Sequence, residues 1–310
     1  MSNTTISSSI RIVLFVLLSV QLFAGSEQPD PSPDLVKAAT KARPHFPLVG
    51  EYVSDHGALQ ANMLTDGSFL VAEYQKGLPG AGWDQSPIAH SKKSAEELKA
   101  ILGAYEMVER VSPTMGKKAP PGALLQFPND FSNVEAGLMK AGAKSTKSVG
   151  SFSMHLEFLM PFMGSRVLSS AKRGNSGIYI YKVYEVQIMD TFALDYQQPE
   201  NNAIPLESET YRWCGSLYKK KVPDVNMTFP PLRWQTYDID FLAPQFEGEK
   251  KVSNARITVR HNGVLIHDDV ELEQGTGLGA NRKEMAKGSI LFQKHGSPIL
   301  FRNVWAIEYP

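Results

Sequence analysis

Residues 175–190 read NSGIYIYKVYEVQIMD. β-Branched and aromatic residues fill the run, and a strand places alternate side chains on opposite faces. Taken as one strand over Gly177–Met189, it turns Tyr184, Val186 and Ile188 one way and Glu185 and Gln187 the other. Strict alternation puts Asp190 on the apolar side, and a β-bulge between Gln187 and Asp190 would return its carboxylate to the face of Glu185. Upstream, SFSMHLEF (151–158) repeats the pattern, with Phe152, Met154, Leu156 and Phe158 on one face and His155 with Glu157 on the other. Such a strand packs on one side, and its polar side meets either solvent or a ligand in a concave sheet.

Outward from these two runs, strands are expected over Trp234–Phe241, Asn254–Val259, Val264–Leu272, Gly288–Gln293 and Ile299–Tyr309. Asn262-Gly263 between two of them is the strongest short-range hairpin signal. No helical periodicity is found from Leu125 onward. So many antiparallel-looking strands over 125–310 predict two packed sheets, a sandwich or jelly roll. Residues 194–233 form a long irregular stretch with five prolines, the kind of loop that often carries function.

The front of the chain differs. Residues 46–124 predict a small α+β module: alternating runs from Leu48 to Tyr74, the Gly- and Pro-rich loop GLPGAGWD, and one helix opened by a Ser94/Glu97 capping box with Leu98, Ile101, Leu102 and Tyr105 at helical spacing. Residues 27–45 carry Pro and charge without apolar periodicity and predict a flexible leader. Residues 1–26 have the form of a cleaved export signal, with an apolar run from Ile12 to Ala24 that is shorter than the ~20 residues of a spanning helix and small residues at Ala24, Gly25 and Ser26. The expectation is a periplasmic or secreted protein with no membrane span after signal removal.

Lys plus Arg and Asp plus Glu balance at 32 each, so no positive field exists to attract phosphate backbones and nucleic acid is not expected as a partner. Cys214 is the only cysteine. It excludes an intrachain disulfide and reads as a small core residue rather than a nucleophile.

Several side chains could carry chemistry. Glu185, Gln187 and Asp190 form an E-x-Q-x-x-D spacing that resembles the E-x-D-x-x-E signature of jelly-roll glycosidases, whose retaining mechanism needs two carboxyls ~5–5.5 Å apart. In GSILFQKHGSPILFRNVWAIE, Gln293 and His295 share a side of their strand, and Arg302 with Asn303 opens the last one. An Arg and a His in a cleft can stabilise an oxyanion and move a proton.

Together these segments resemble the 3-keto-disaccharide hydrolase domain family. The landmarks are Asn175-Ser176-Gly177-Ile178-Tyr179, Tyr184-Glu185-Val186-Gln187-Ile188 to Asp190, Gly215-Ser216-Leu217-Tyr218, Trp234 to Tyr237, Asn262-Gly263-Val264, Gly288 to Gln293 with His295-Gly296, and Phe301-Arg302-Asn303-Val304. The resemblance implies a concanavalin A-like jelly-roll sandwich behind the α+β module and cleavage of a small carbohydrate already oxidised at carbon 3. It gives the polar residues provisional roles. Glu185 or His295 would be the base, Arg302 with Gln187 and Asn175 would hold the enolate or hydroxyls, and Asp190 or His155 would be the acid. Glu157, Tyr179, Tyr218, Trp234 and Gln293 would complete the substrate contacts. No cofactor is required by the sequence. Calcium is compatible with this kind of sandwich, although no D-x-D-x-D-G loop is present and His155 with Glu157 is an incomplete ligand set. Two other readings stay open: a retaining glycosidase using Glu185 and Asp190, and a noncatalytic carbohydrate-binding module in which Tyr179, Tyr181, Trp213 and Trp234 stack on sugar rings.

Overall fold

The computed structural model describes residues 29–309. The expected export signal lies outside them. The chain is mainly β, 37% strand and 11% helix.

The leader is the first departure from expectation. Ser32–Ala42 is a helix (α1), following Pro31, whose fixed φ suits a helix start. Val36 and Ala39 form its inner face against the front module, a short apolar stripe among charges. Five antiparallel strands follow: β1 (Gly50–Ser54), β2 (Gly57–Met63), β3 (Phe69–Tyr74), β4 (Ala89–Lys93) and β5 (Glu106–Val108), in the order β4-β3-β2-β1-β5. Between β4 and β5 runs α2 (Ala95–Leu102), opened by the Ser94–Glu97 capping box and ended at Gly103. One face of the sheet meets the helices through Leu59, Phe69, Val71 and Leu98. The other, through Leu70, Ala72 and Tyr74, packs on Met189, Phe192 and Trp213 of the following domain.

That domain is a jelly-roll sandwich. Short strands β6 (Leu125–Gln126), β7 (Val134–Glu135) and β8 (Leu138–Lys140) precede β9 (Phe152–Leu159), β10 (Ser176–Ile180) and β11 (Tyr184–Ile188). Then come β12 (Trp234–Leu242), a small hairpin of β13 (Gln245–Glu247) and β14 (Lys250–Ser253), β15 (Ala255–His261), β16 (Val264–Leu272), β17 (Ile290–Phe292) and β18 (Leu300–Glu308). The large sheet runs β16-β15-β12-β9-β18-β8-β7, with β6 also on β18, and the small sheet runs β11-β10-β17. Phe152, Met154, Leu156 and Phe158 of β9 do face one core, shared with Ile178, Ile180, Val186 and Ile188 of the small sheet. Each such side chain, fully buried, contributes roughly 1.5–3 kcal/mol.

Asn262 (φ 49°) and Gly263 (φ 78°) make the expected turn between β15 and β16. The single strand expected over Gly177–Met189 is instead a hairpin. Tyr181 (φ 59°) and Lys182 (φ 62°) turn the chain without glycine or asparagine, a conformation that costs most residues energy. Tertiary contacts hold it: the Tyr181 ring stands edge-on to Phe241 at 5.4 Å, its hydroxyl donates to the Gly150 carbonyl, and its amide donates to Ser289 O at 3.0 Å.

Cys214 is buried and unpaired, its Sγ 3.2 Å from the Tyr237 hydroxyl, and burial pushes the thiol pKa up. It is a core residue. Among the described residues no helix is long and apolar enough to cross a membrane.

Candidate functional site

The two polar strand faces read from the sequence lie on opposite outsides of the sandwich, because each points away from the same core. They have different fates.

On the small sheet, Tyr179 of β10 pairs directly with Glu185 of β11, Gly177 pairs with Gln187, and the Gln293 amide donates to Gly177 O at 2.8 Å. Register therefore gathers Tyr179, Glu185, Gln187 and Gln293 on one outward face, with Asn175 at the mouth of β10. Gly177 is the floor between them: a Cβ there would sit 2.4 Å from Glu185 Oε1, so only glycine leaves the carboxylate its place. Tyr218 borders the group, its amide donating to Glu185 O at 3.4 Å and its ring lying against Gly277. Arg212 stacks over Tyr218 at 5.7 Å, and Tyr211 stands edge-on to it at 6.1 Å. Thr276 accepts the Glu185 amide at 2.7 Å.

This face concentrates unmet hydrogen bonding around one carboxylate. Asn175 Oδ1, Tyr179 Oη, Glu185 Oε1 and Gln293 Oε1 are all buried without a partner, whereas buried polar atoms are ordinarily satisfied. Glu185 is 2% exposed. Burial pushes its carboxyl up to about 7, and the nearby Tyr179 hydroxyl offsets only part of that. Tyr179 and Glu185 are thus close enough to influence each other without a formed bond. Burial also raises the Tyr179 phenol, so at neutral pH it remains a proton-bearing donor. A carboxyl that changes charge near pH 7, ringed by amide groups and a phenol, is suited to general acid–base chemistry.

The large sheet uses its outer face structurally. The strap Ser112–Lys117 lies across it: Gly116 N donates to Glu157 Oε1 at 2.7 Å, Lys117 Nζ to Asp238 Oδ1 at 2.8 Å, and Trp305 Nε1 to Lys117 O at 2.9 Å. Arg302 Nε donates to Glu157 Oε2 at 2.7 Å, Asn303 Nδ2 donates to Glu157 Oε1 at 2.8 Å, and His155 Nδ1 lies 3.0 Å from Asp238 Oδ1. An irregularity between Arg302 and Trp305 in the β9–β18 register lets both side chains reach this face. Arg302 also covers Trp234 at 3.9 Å, whose indole donates to Asp30 at 2.9 Å. Burial alone would raise Glu157, but His155, Arg302, Asn303 and Gly116 together hold it down at about 2. Burial likewise works against charge on His155, and Asp238 with Glu157 outweighs it, raising the imidazole.

Of the residues singled out in the sequence, Glu185, Gln187, Asn175, Tyr179, Gln293 and Tyr218 therefore come together. His155, Glu157, Arg302 and Trp234 do not join them; they fasten the strap on the opposite face. Asp190 does not either. The β10–β11 register is regular as far as Ser176↔Ile188, and beyond it the Asp190 carboxylate accepts from Arg173 Nε at 2.7 Å, both side chains fully buried. His295 sits exposed on the bend after β17. Tyr181 and Trp213 are core residues, unavailable for stacking. The sequence reading missed Asp238, which alternation along Trp234–Leu242 would have placed beside His155. It also missed Gly177 and Thr276, for which only the pairing gives a signal. Among the described residues no cluster of three or more His, Cys, Asp or Glu is arranged to hold a metal.

Residues 117–307, more than half the chain, match the family described as the 3-keto-alpha-glucoside-1,2-lyase-like domain. Among solved structures, a "putative glycosyl hydrolase" from Parabacteroides distasonis ATCC 8503 is similar at 27% identity and a TM-score of 0.52, over 62% of this chain and 86% of that one. Two further proteins described in the same words from the same organism are similar at 17% and 19% identity, with TM-scores of 0.40 and 0.35, over 57% and 55% of this chain and 82% and 84% of theirs. No curated protein matches.

Proposed function

We propose, from the premise that this chain belongs to the 3-keto-alpha-glucoside-1,2-lyase-like domain family, that it cleaves 3-keto-glycosides by elimination followed by hydration. Its family and the similar glycosyl hydrolase fold make it a carbohydrate-active enzyme of hydrolase or lyase type.

The observation that carries the finer reading is Glu185: one carboxyl with a pKa of about 7, on a sheet face where the three strands place no second carboxylate. Retaining hydrolysis needs two, and Asp190 is committed to Arg173. Elimination needs one base. A ketone at C3 acidifies the C2 hydrogen. Glu185 takes that proton, and the C–H electrons form the enolate, whose oxygen meets the Tyr179 phenol and the side-chain amide N–H groups of Gln187 and Gln293, while Asn175 Oδ1, its amide already donating to Ala171 O at 2.8 Å, accepts from a sugar hydroxyl. The enolate then collapses to a C1=C2 double bond and expels the C1 oxygen substituent. Glu185, now neutral, can return its proton to that leaving oxygen. Water adding across the double bond, hydroxyl to C1 and hydrogen to C2, gives net hydrolysis. Tyr218 and the Thr276–Gly277 turn border Glu185 and would move for substrate to enter.

Export belongs to the same proposal and rests on the apolar run Ile12–Ala24; fractionation of cells making the full chain and a chain lacking residues 1–26 tests it. The activity test is incubation with a panel of glycosides and their 3-keto forms, with and without chelator, following the unsaturated glycal intermediate. Only 3-keto forms should react, with the glycal appearing transiently. Comparable cleavage of unoxidised glycosides would refute the elimination.

A further inference from the structure

A second concavity lies apart from the Glu185 face. A cavity of about 250 Å³ opens between the front module and the long loop of the jelly roll, lined among others by Trp83, Ser86, Asp195, Gln197 and Gln198. It is remote from Glu185 in residue content, sharing none of that cluster's side chains. Its size falls below the roughly 300–1,000 Å³ of sites for drug-sized ligands, which suits a single ring.

The wall chemistry narrows the occupant. Trp83 is half-buried, its indole N–H already donating to Ser86 O at 3.0 Å and its ring held edge-on to Tyr74 at 5.8 Å. The indole is therefore fixed as a platform and does not need its polar atom for the ligand. Asp195 Oδ1 accepts the Gln197 and Gln198 amides at 2.8 and 3.0 Å, which aligns the carboxylate and leaves Oδ2 without a protein hydrogen bond among the described residues. Ser86 Oγ is buried and makes no hydrogen bond of regular geometry, its near neighbour being the Asp84 carboxylate, whose pKa it helps to lower. The Gln197 and Gln198 side chains add amide groups. No Lys or Arg lines the cavity, so nothing there would hold an anion, and Asp224 on its wall is already paired with Lys221 at 2.5 Å.

We infer that this cavity is a second carbohydrate site that binds one neutral sugar ring, stacked on Trp83 with its hydroxyls bonded to Asp195 Oδ2 and Ser86 Oγ. Apolar ring faces of sugars pack on indole while their hydroxyls need fixed acceptors and donors, and this wall offers both. The site gives the front module a part in substrate handling: it supplies Trp83 and Ser86, and the jelly roll supplies Asp195. The inference rests on the carbohydrate reading above only for the choice of ligand.

Trp83 is its own reporter, since Trp213, Trp234 and Trp305 are 0%, 8% and 5% exposed. The test is tryptophan fluorescence of the intact chain titrated with maltose, cellobiose and trehalose, none of them 3-keto sugars, so that binding is read without turnover. A saturable change is expected for at least one disaccharide. It should disappear in Trp83→Ala and weaken about tenfold in Ser86→Ala, a variant whose loss within the protein is confined to a contact with exposed Asp84 and whose fold is checked by its melting temperature. The inference is overturned by no saturable change with millimolar sugar, by equal affinity in Ser86→Ala, or by tighter binding of tetramethylammonium than of any sugar. A protein without 3-keto-glycoside turnover could still pass this test, and one with turnover could fail it.

Discussion

Replacing Glu185 by Gln should stabilise the protein at alkaline pH while abolishing turnover. Burial raises the Glu185 pKa from its ordinary 4.5 to about 7. Between those values the unfolded chain gives up its proton while the folded one keeps it, so stability falls as pH rises across that window. At about 1.4 kcal/mol per tenfold change in proton affinity, the loss is roughly 3 kcal/mol by pH 8 and under about 1 kcal/mol at pH 5. Glutamine never ionises and avoids it. Urea unfolding of parent and Glu185→Gln at pH 5 and pH 8 should therefore show the variant gaining about 2–3 kcal/mol relative to parent between the two conditions. The same group acting as base predicts a kcat/KM for the 3-keto substrate that rises with pH through about 7, because the carboxylate form is the active one. A stability difference independent of pH, or unchanged turnover in Glu185→Gln, would refute the assignment of a functional, desolvated base at this position.

Three further outcomes follow from the geometry. Gly177→Ala, whose Cβ would lie 2.4 Å from Glu185 Oε1 at a backbone any residue can adopt, should lower kcat on the order of 100-fold with little change in melting temperature; equal losses of both would mean the glycine serves the fold alone. Glu157→Gln strips the carboxylate from Arg302, Gly116 and Asn303 and should cost about 3–5 kcal/mol near neutral pH. Because its pKa is depressed to about 2, the difference from parent should shrink as pH falls below 4.5, while kcat/KM of the folded variant stays within about twofold of parent. Asp190→Asn, breaking the buried Arg173 pair, should likewise cost about 3–5 kcal/mol and leave the pH–rate profile in place; loss of an acid limb would restore Asp190 to the chemistry.

Much of the fold was legible because alternation is a local property. The runs around Phe152, Trp234 and Val264 and the Asn262-Gly263 turn each report on their own neighbours, and the strands formed within a residue or two of expectation. The Tyr181-Lys182 turn was hidden because neither residue advertises positive φ; Phe241, Gly150 and Ser289, distant in sequence, impose it. The helix Ser32–Ala42 was obscured by surrounding Pro and charge, though Val36 and Ala39 do share a face. For the site, periodicity told which residues point away from the core but not which sheet they leave from. His155 and Glu157 therefore looked like companions of Glu185 and Gln187 when the core separates them. Pairing across strands, which brings Gly177 and Gln293 to Glu185, has no signature in any one segment.

Arg173 reaches out of the jelly roll and spends its guanidinium on Met63 O at 3.2 Å and Asn62 Oδ1 at 3.1 Å in β2, as well as on Asp190. A chain begun at residue 117, where the family likeness starts, would leave that cation facing water-filled space and uncover Met189, Phe192 and Trp213 to solvent. The matched segment and the front module are thus joined through a third buried cluster as well as this hydrogen-bonded arginine. Each part keeps a core of its own, and trimming either would expose the apolar seam between them.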